Sequence, residues 1–242
     1  QDDEAIYDLF FEALEPFLSS VPTLTAVGNH EAPGTPPFIG YLTRLGADMP
    51  NAGKGSGGLW HWSVFGRVGV VTLSTEHNYS VGSLQHSWAV EVVGELQARK
   101  QRGELDWVVA QMHRCFYTST DDYYDRVVVA QRLRNAFEQL FRTGTMDPST
   151  GWDPQANGPV VDLLLSGHLH NAEQFLPAFN KTPTNPSFHK PSATVQLIIG
   201  NAGDQEGLTN SWTDPWSFSI LRKAQLGFAN ITAHNASTLQ VD

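Results

Sequence analysis

Val161-Asp162-Leu163-Leu164-Leu165-Ser166-Gly167-His168-Leu169-His170 is an apolar run that stops in a glycine-led, histidine-bearing turn. Val161–Leu165 has the length and the branched residues of a buried strand. Gly167 permits a sharp turn at its end. His168 and His170 stand two apart, so in extended backbone they project to one side and can serve neighbouring metal ions. In open α/β sheets ligands gather beyond the C-terminal strand ends, so a strand that ends in metal-capable side chains suggests a site there.

Two more stretches repeat this design upstream. Thr23–Val27 reads as a short strand running into Gly28-Asn29-His30-Glu31, and Trp107–Gln111 reads as a buried strand delivering Met112-His113-Arg114. A lone histidine at a strand end is ordinarily a hydrogen-bonded structural residue, and Gly-Asn-His-Glu alone is an ordinary turn. Three such elements, each following a strand, favour one site. Imidazole nitrogen and amide oxygen suit zinc, iron and manganese where thiolates are absent, and the chain has a single cysteine, Cys115.

Around these motifs the periodicity alternates. Ile6, Leu9, Phe10, Ala13, Leu14 and Phe17 predict a helix over Asp3 to Leu18, stopped by Ser19, Ser20 and Pro22. Ala32–Leu59, rich in Gly and Pro and loosest at 53–58, predicts a long surface loop. Trp60–Phe65 and Val68–Ser74 predict a hairpin turning at Gly66-Arg67. Helices are predicted over Ser83–Lys100 and Val127–Phe141, and the tail Ala193–Val241 alternates as strands do. With no repeat or linker, residues 1–242 form one domain.

The chain has 242 residues with 40% hydrophobic and 17% charged, which fits a folded protein with a real core. Its longest apolar runs are strand-sized, so no membrane association is expected. A formal net charge of −10 argues against a nucleic-acid partner, which calls for a basic face. It does not argue against a phosphate-ester substrate, because bound metal supplies local positive charge. Glycosylation sequons begin at Asn78, Asn180, Asn230 and Asn235, which lean towards a secreted, extracellular or vacuolar protein.

Gly28-Asn29-His30-Glu31, the lone His113 and Gly167-His168-Leu169-His170 resemble the last three metal-binding motifs of calcineurin-like metallophosphoesterases. Ser74-Thr75-Glu76-His77-Asn78, His113-Arg114-Cys115-Phe116-Tyr117 and Gly200-Asn201-Ala202-Gly203 narrow the resemblance to plant-type purple acid phosphatases. It runs over nearly the whole chain. It implies an α/β fold, a two-sheet β-sandwich flanked by helices, and metal-dependent hydrolysis of phosphate monoesters at a binuclear centre of Fe(III) with Zn, Mn or Fe(II). Asn29, His113 and His168 would hold the divalent ion and His170 the ferric ion. His30 would contact the phosphate and stabilise charge or protonate the leaving group, with His77 on the substrate-pocket wall. Such a metal pair activates water near neutral pH and clamps the oxygens of an in-line displacement.

The sequence departs from that pattern in three places. Cys115-Phe116 stands for Pro-Met, and Asn171-Ala172-Glu173-Gln174 for Asn-Tyr-Glu-Arg, changes expected to alter the pocket wall. The aspartate and tyrosine motifs that complete the family's site do not occur before Gly28; Asp2, Asp3 and Tyr7 sit in or beside a helix with the wrong spacing. The domain is therefore expected to be N-terminally incomplete, lacking strands and associating with the absent segment or another subunit. Two rival readings stand: a phosphodiesterase or nucleotide pyrophosphatase on the same metals, and a non-catalytic secreted binding protein that kept the fold. Asp121, Asp122, Tyr123 and Tyr124 read first as a solvated loop.

Overall fold

The computed structural model describes residues 4–33, 37–46, 49–147, 149, 152–203 and 205–242. Asp2 and Asp3 lie outside them. The chain opens with helix α1 (Glu4–Leu18), whose apolar residues Leu9, Phe10 and Phe17 remain exposed. Strands β1 (His61–Phe65) and β2 (Val68–Leu73) form the expected hairpin, with Gly66 at φ +58° in its turn. A left-handed residue of that kind is best supplied by glycine.

Thr23–Val27 is not a paired strand. Its backbone is served by side chains instead, Thr25 O accepting from Tyr41 Oη at 3.1 Å and facing His61 Nε2 at 3.1 Å. The stretch Ala32–Leu59 is likewise more than a surface loop. It contains α2 (Ile39–Tyr41) and a wide helical turn, Leu42–Gly46, with residues 34–36 and 47–48 outside the described ones. Phe38, Tyr41, Leu59 and Trp60 form a small core there with Val27. Gly58 lies so close to Gly46 O that a Cβ would sit 1.9 Å from it. The glycines signal close packing here, where composition suggested looseness.

Helix α3 (Leu84–Gln101) begins at Ser83, whose hydroxyl accepts from His86 N at 3.2 Å. The helical stretch expected over Val127–Phe141 starts earlier, at Tyr124, and mixes wide turns (Tyr124–Val129, Arg134–Glu138) with α4 (Ala130–Leu133) and α5 (Gln139–Thr143). A short α6 (Pro154–Asn157) follows.

Strands β3 (Trp107–Met112) and β4 (Leu163–Ser166) are joined by β5 (Ala172–Phe175), the short pair β6 (Ala178–Phe179) and β7 (Thr182–Pro183), then β8 (Val195–Ile199) and β9 (Ser219–Lys223). The principal sheet has the order β1-β2-β3-β4-β8-β5-β9. Strands β2, β3, β4 and β8 are mutually parallel, and β5 runs antiparallel to both its neighbours. The tail strands β10 (Ile231–Asn235) and β11 (Thr238–Val241) make a separate antiparallel ribbon.

Alternation along β3 explains the layers. Val108, Ala110 and Met112 face α3 and α5 in the main core with Leu96, Phe137 and Phe141. Val109 faces the other way and joins Leu163 and Leu197 beneath Ile231, Leu239 and Val241 of the ribbon. Helices thus cover one face of the principal sheet and a second, two-stranded sheet covers the other. Cys115 and Phe116 belong to the main core, so their departure from the family pattern changes core packing.

Strand β5 escapes an apolar-run reading because Glu173 is buried with its charge satisfied. Its carboxylate accepts from Ser119 N at 2.8 Å, Ser119 Oγ at 2.5 Å and Ser219 Oγ at 2.6 Å. A buried carboxylate is tolerated where donors converge on it in this way.

Candidate metal centre

The parallel register sets the site. Leu73 lies opposite Met112, and Met112 opposite Ser166, so β2, β3 and β4 end level with one another. The next residues emerge side by side, and Gly167 N donates to His113 O at 3.0 Å. Against this edge runs the turn Asn29–Glu31, closed by Glu31 Oε2 accepting from Gly28 N at 2.7 Å. Gly28 presses on the His113 ring; a Cβ there would lie 2.8 Å from ring atoms Cε1 and Nδ1. Glycine is needed at this position for close approach, its φ of −116° being open to any residue.

Three donor atoms meet. Asn29 Oδ1 lies 2.7 Å from His113 Nε2, which lies 3.1 Å from His168 Nδ1. His168 has φ +62°, a conformation costing a non-glycine residue roughly 1 kcal/mol or more. The turn recovers part of this through Leu169 N donating to Gly167 O at 2.7 Å. Burial, with the neighbouring charges of His168, Arg114 and His30, holds the His113 imidazole down to about 3. It is therefore neutral, the form in which a histidine binds metal.

The other expected residues stand around this trio. His170 is not in contact with it; its ring turns to the 207 loop, where Nδ1 donates to Gly207 O at 2.9 Å. Since a carbonyl only accepts, Nδ1 carries the hydrogen and Nε2 is the nitrogen left to serve as a donor atom. His30 is partly exposed, with Nε2 3.7 Å from Glu206 Oε1. His77 is held by Ser74 Oγ at 2.7 Å and packs on Phe38 and Trp60. Burial lowers its imidazole below the usual range, against the pull of Glu76. It lines a groove of about 550 Å³ with Glu76, Arg114, Tyr79, Tyr124 and Arg132.

Sequence reasoning missed Asp125 and underrated Arg114. Asp125 is buried, and its Oδ2 lies 2.7 Å from His168 Nε2. Arg114 Nη1 donates to Asp125 Oδ1, and Arg114 Nε donates to Glu76 Oε1 at 2.9 Å. Burial pushes the Asp125 carboxyl up, but His168 and then Arg114 outweigh it and leave it below its ordinary range. The available signal was Asp122, whose Oδ1 accepts from Asp125 N at 3.0 Å and opens the helical stretch. Asp121, Tyr123 and Tyr124 are exposed, as a solvated loop would be.

The donor set fits a divalent ion. Two imidazole nitrogens and an amide oxygen are borderline donors of the kind zinc, iron(II) and manganese accept. Their present spacings fall just inside the roughly 3.3 Å that separates ligands on tetrahedral bonds of about 2.0–2.1 Å. Among the described residues no three imidazole, thiolate or carboxylate groups cluster at metal distance, the third donor being an amide.

Residues 2–172 match the family described as "Calcineurin-like phosphoesterase", well over half of the chain. The chain belongs to the calcineurin-like phosphoesterases. Residues 193–242 match "Iron/zinc purple acid phosphatase-like protein C". The chain is 27% identical to human "Acid phosphatase type 7", covering 100% of itself and 53% of that protein. It is 25% identical to Arabidopsis thaliana "Probable purple acid phosphatase 20" (97% and 50%), and 27% identical to that organism's "Probable inactive purple acid phosphatase 27" (96% and 37%). The chain thus spans about half or less of these relatives. The purple acid phosphatase PPD1 of yellow lupin seeds has the same fold, with TM-score 0.76 at 21% identity over 97% of this chain and 40% of that one.

Proposed function

We propose that this phosphoesterase chain serves metal-dependent hydrolysis of phosphate monoesters of the acid phosphatase type, at a centre pairing Fe(III) with Zn, Mn or Fe(II). The observation that carries the reading is the meeting of Asn29 Oδ1, His113 Nε2 and His168 Nδ1 at one sheet edge. These three would hold the divalent ion, and His170, through its Nε2, would serve the other. Bound metal would supply Lewis acidity and an activated water. The chain's own residues do the rest. Gly28 lets the His113 ring close on Asn29, and burial keeps that ring neutral. His30, partly exposed beside the trio, is placed to hydrogen-bond a phosphate oxygen or to give a proton to the leaving group. His77 forms part of the groove wall on which the ester's organic portion would rest.

All four sequon asparagines, Asn78, Asn180, Asn230 and Asn235, are exposed, which supports glycosylation and a secreted or vacuolar location. The net charge of −10 and a small ester-sized groove support a small-molecule substrate over nucleic acid. The test is metal-dependent release of an aryl alcohol from its phosphate ester, by the chain alone and joined to any segment that precedes it. His168→Ala should lower the rate by several orders of magnitude, whereas His30→Ala should cost less and act on the leaving-group step. Turnover unchanged by His168→Ala would overturn the proposal.

One observation favours a second reading, a binding protein that retains the fold without turnover. No negatively charged donor belongs to the trio, and relatives of comparable similarity include one whose name calls it inactive. Stoichiometric metal binding with no hydrolysis of any phosphate ester would select it.

A further inference from the structure

We infer that Asp125 is a positioning residue that sets the tautomer of His168 and thereby turns His168 Nδ1 into a metal donor. The inference rests on the metal-site reading above. The two nitrogens of an imidazole are distinct, and the partner of one decides the state of the other. His113 Nε2 faces Asn29 Oδ1 at 2.7 Å, an amide oxygen that can only accept, so in the metal-free chain this nitrogen carries a hydrogen. Its next neighbour at 3.1 Å, His168 Nδ1, must then present a lone pair.

The far side of His168 is contested. Its Nε2 lies 2.7 Å from Asp125 Oδ2, which accepts, and 2.9 Å from Arg114 Nη1, which donates. If Arg114 prevailed, Nε2 would hold the lone pair and the hydrogen would move to Nδ1, aimed at the place where the donors meet. Asp125 prevents this in two ways. Oδ2 accepts the Nε2 hydrogen, and Oδ1 engages one of the two Arg114 Nη1 hydrogens and holds the guanidinium to the carboxylate. Asp125 is buried and anchored by its own N–H to Asp122 Oδ1 at 3.0 Å, so its reach is fixed. Wide helical turns such as Tyr124–Val129, which carries it, are rare and frequently sit at functional sites.

The experiment uses the full chain with nitrogen-15 in its histidines. Imidazole nitrogen spectra read the tautomer of His168 without metal, and competition with a chelator reads zinc affinity. Asp125→Asn is nearly isosteric; Asp125→Ala and Asp125→Glu accompany it, and His113→Ala tests the metal site itself. Expected are a move of the His168 hydrogen from Nε2 towards Nδ1 in the Asn and Ala variants and zinc affinity weaker by about 10- to 100-fold, with recovery of both in Asp125→Glu. Should Asp125→Ala fail to fold, Asp125→Asn alone decides. Wild-type tautomer and affinity in Asp125→Asn overturn the inference. So does weakened zinc binding with the tautomer unmoved, which would reduce Asp125 to a distant charge. If zinc affinity is already absent in the wild type, or is untouched by His113→Ala, the metal-site reading fails and this inference fails with it. Zinc lost in His113→Ala but unchanged in Asp125→Asn sinks the Asp125 role alone.

Discussion

Replacing Gly28 by alanine tests whether Asn29, His113 and His168, the proposed metal donors, are held together by close packing. The added Cβ would lie 2.8 Å from Cε1 and Nδ1 of His113 and 3.0 Å from its Nε2, where ordinary contact begins at 3.4 Å. The ring must therefore retreat by about 0.6 Å, several times the ±0.2 Å within which ligand distances normally hold. Two effects oppose each other. Gly→Ala at a compatible φ stabilises by about 0.4–1 kcal/mol through the unfolded chain, and Gly28 has φ −116°. Overpacking costs about 1–3 kcal/mol. The clash falls on a ring confined by Asn29 and His168, not on the free end of a flexible side chain, so overpacking should win. Urea unfolding of the metal-free variant should show a net loss of about 1–2 kcal/mol. Chelator competition should show zinc affinity weakened by about tenfold or more, the ordinary effect of disturbing a ligand's support. A variant that is more stable and binds zinc as tightly as the wild type would refute the packing of His113 against Gly28.

Other substitutions probe separate parts of the structure. Asp162 accepts from Lys100 Nζ at 2.8 and 2.9 Å and from Val108 N at 2.7 Å, at the strand ends opposite the site. Asp162→Ala should cost about 3 kcal/mol at most in chemical denaturation, because the largely buried Lys100 ammonium keeps only carbonyl partners, while zinc affinity holds. Because the folded pKa of His113 lies near 3 and the unfolded value near 6.5, the unfolded chain takes a proton first as pH falls. The metal-free wild type should therefore lose stability between pH 6.5 and about 3, by at most about 1.4 kcal/mol per pH unit from this residue. The slope should flatten in His113→Gln, and an unchanged slope would contradict the assigned burial. Elemental analysis after zinc loading should give one tightly held ion per chain. A second ion as tight as the first would mean that His170 has partners not identified at present.

Apolar strands and strand-end histidines are legible because they obey local rules. β3 and β4 are continuous runs, and the register that levels their ends follows from parallel pairing. What escapes is whatever depends on distant partners. Ala172–Phe175 carries a buried carboxylate whose donors come from residues 119 and 219, so its polarity hides a central strand. Thr23–Val27 has the β-branched residues of a strand, yet its backbone is satisfied by Tyr41 and His61. The glycines of 53–58 suggest looseness, and the structure uses Gly58 for contact with Gly46.

Asp125 escapes for a deeper reason. Asn29, His113 and His168 announce themselves through spacing, but none of them brings a negative charge that would favour a cation over water. The charge beside them is supplied from other elements. Asp125 and Glu76 against Arg114 leave two negative charges and one positive, a net single negative charge next to His168. Their mutual hydrogen bonds lower the penalty of burying them. Through His168 that negative charge would reach a cation without either carboxylate becoming a ligand, which raises the basicity of the nitrogen that does bind. Spacing rules therefore find the donors of the proposed site, and only the folded arrangement of Asp125, Arg114 and Glu76 brings negative charge beside them.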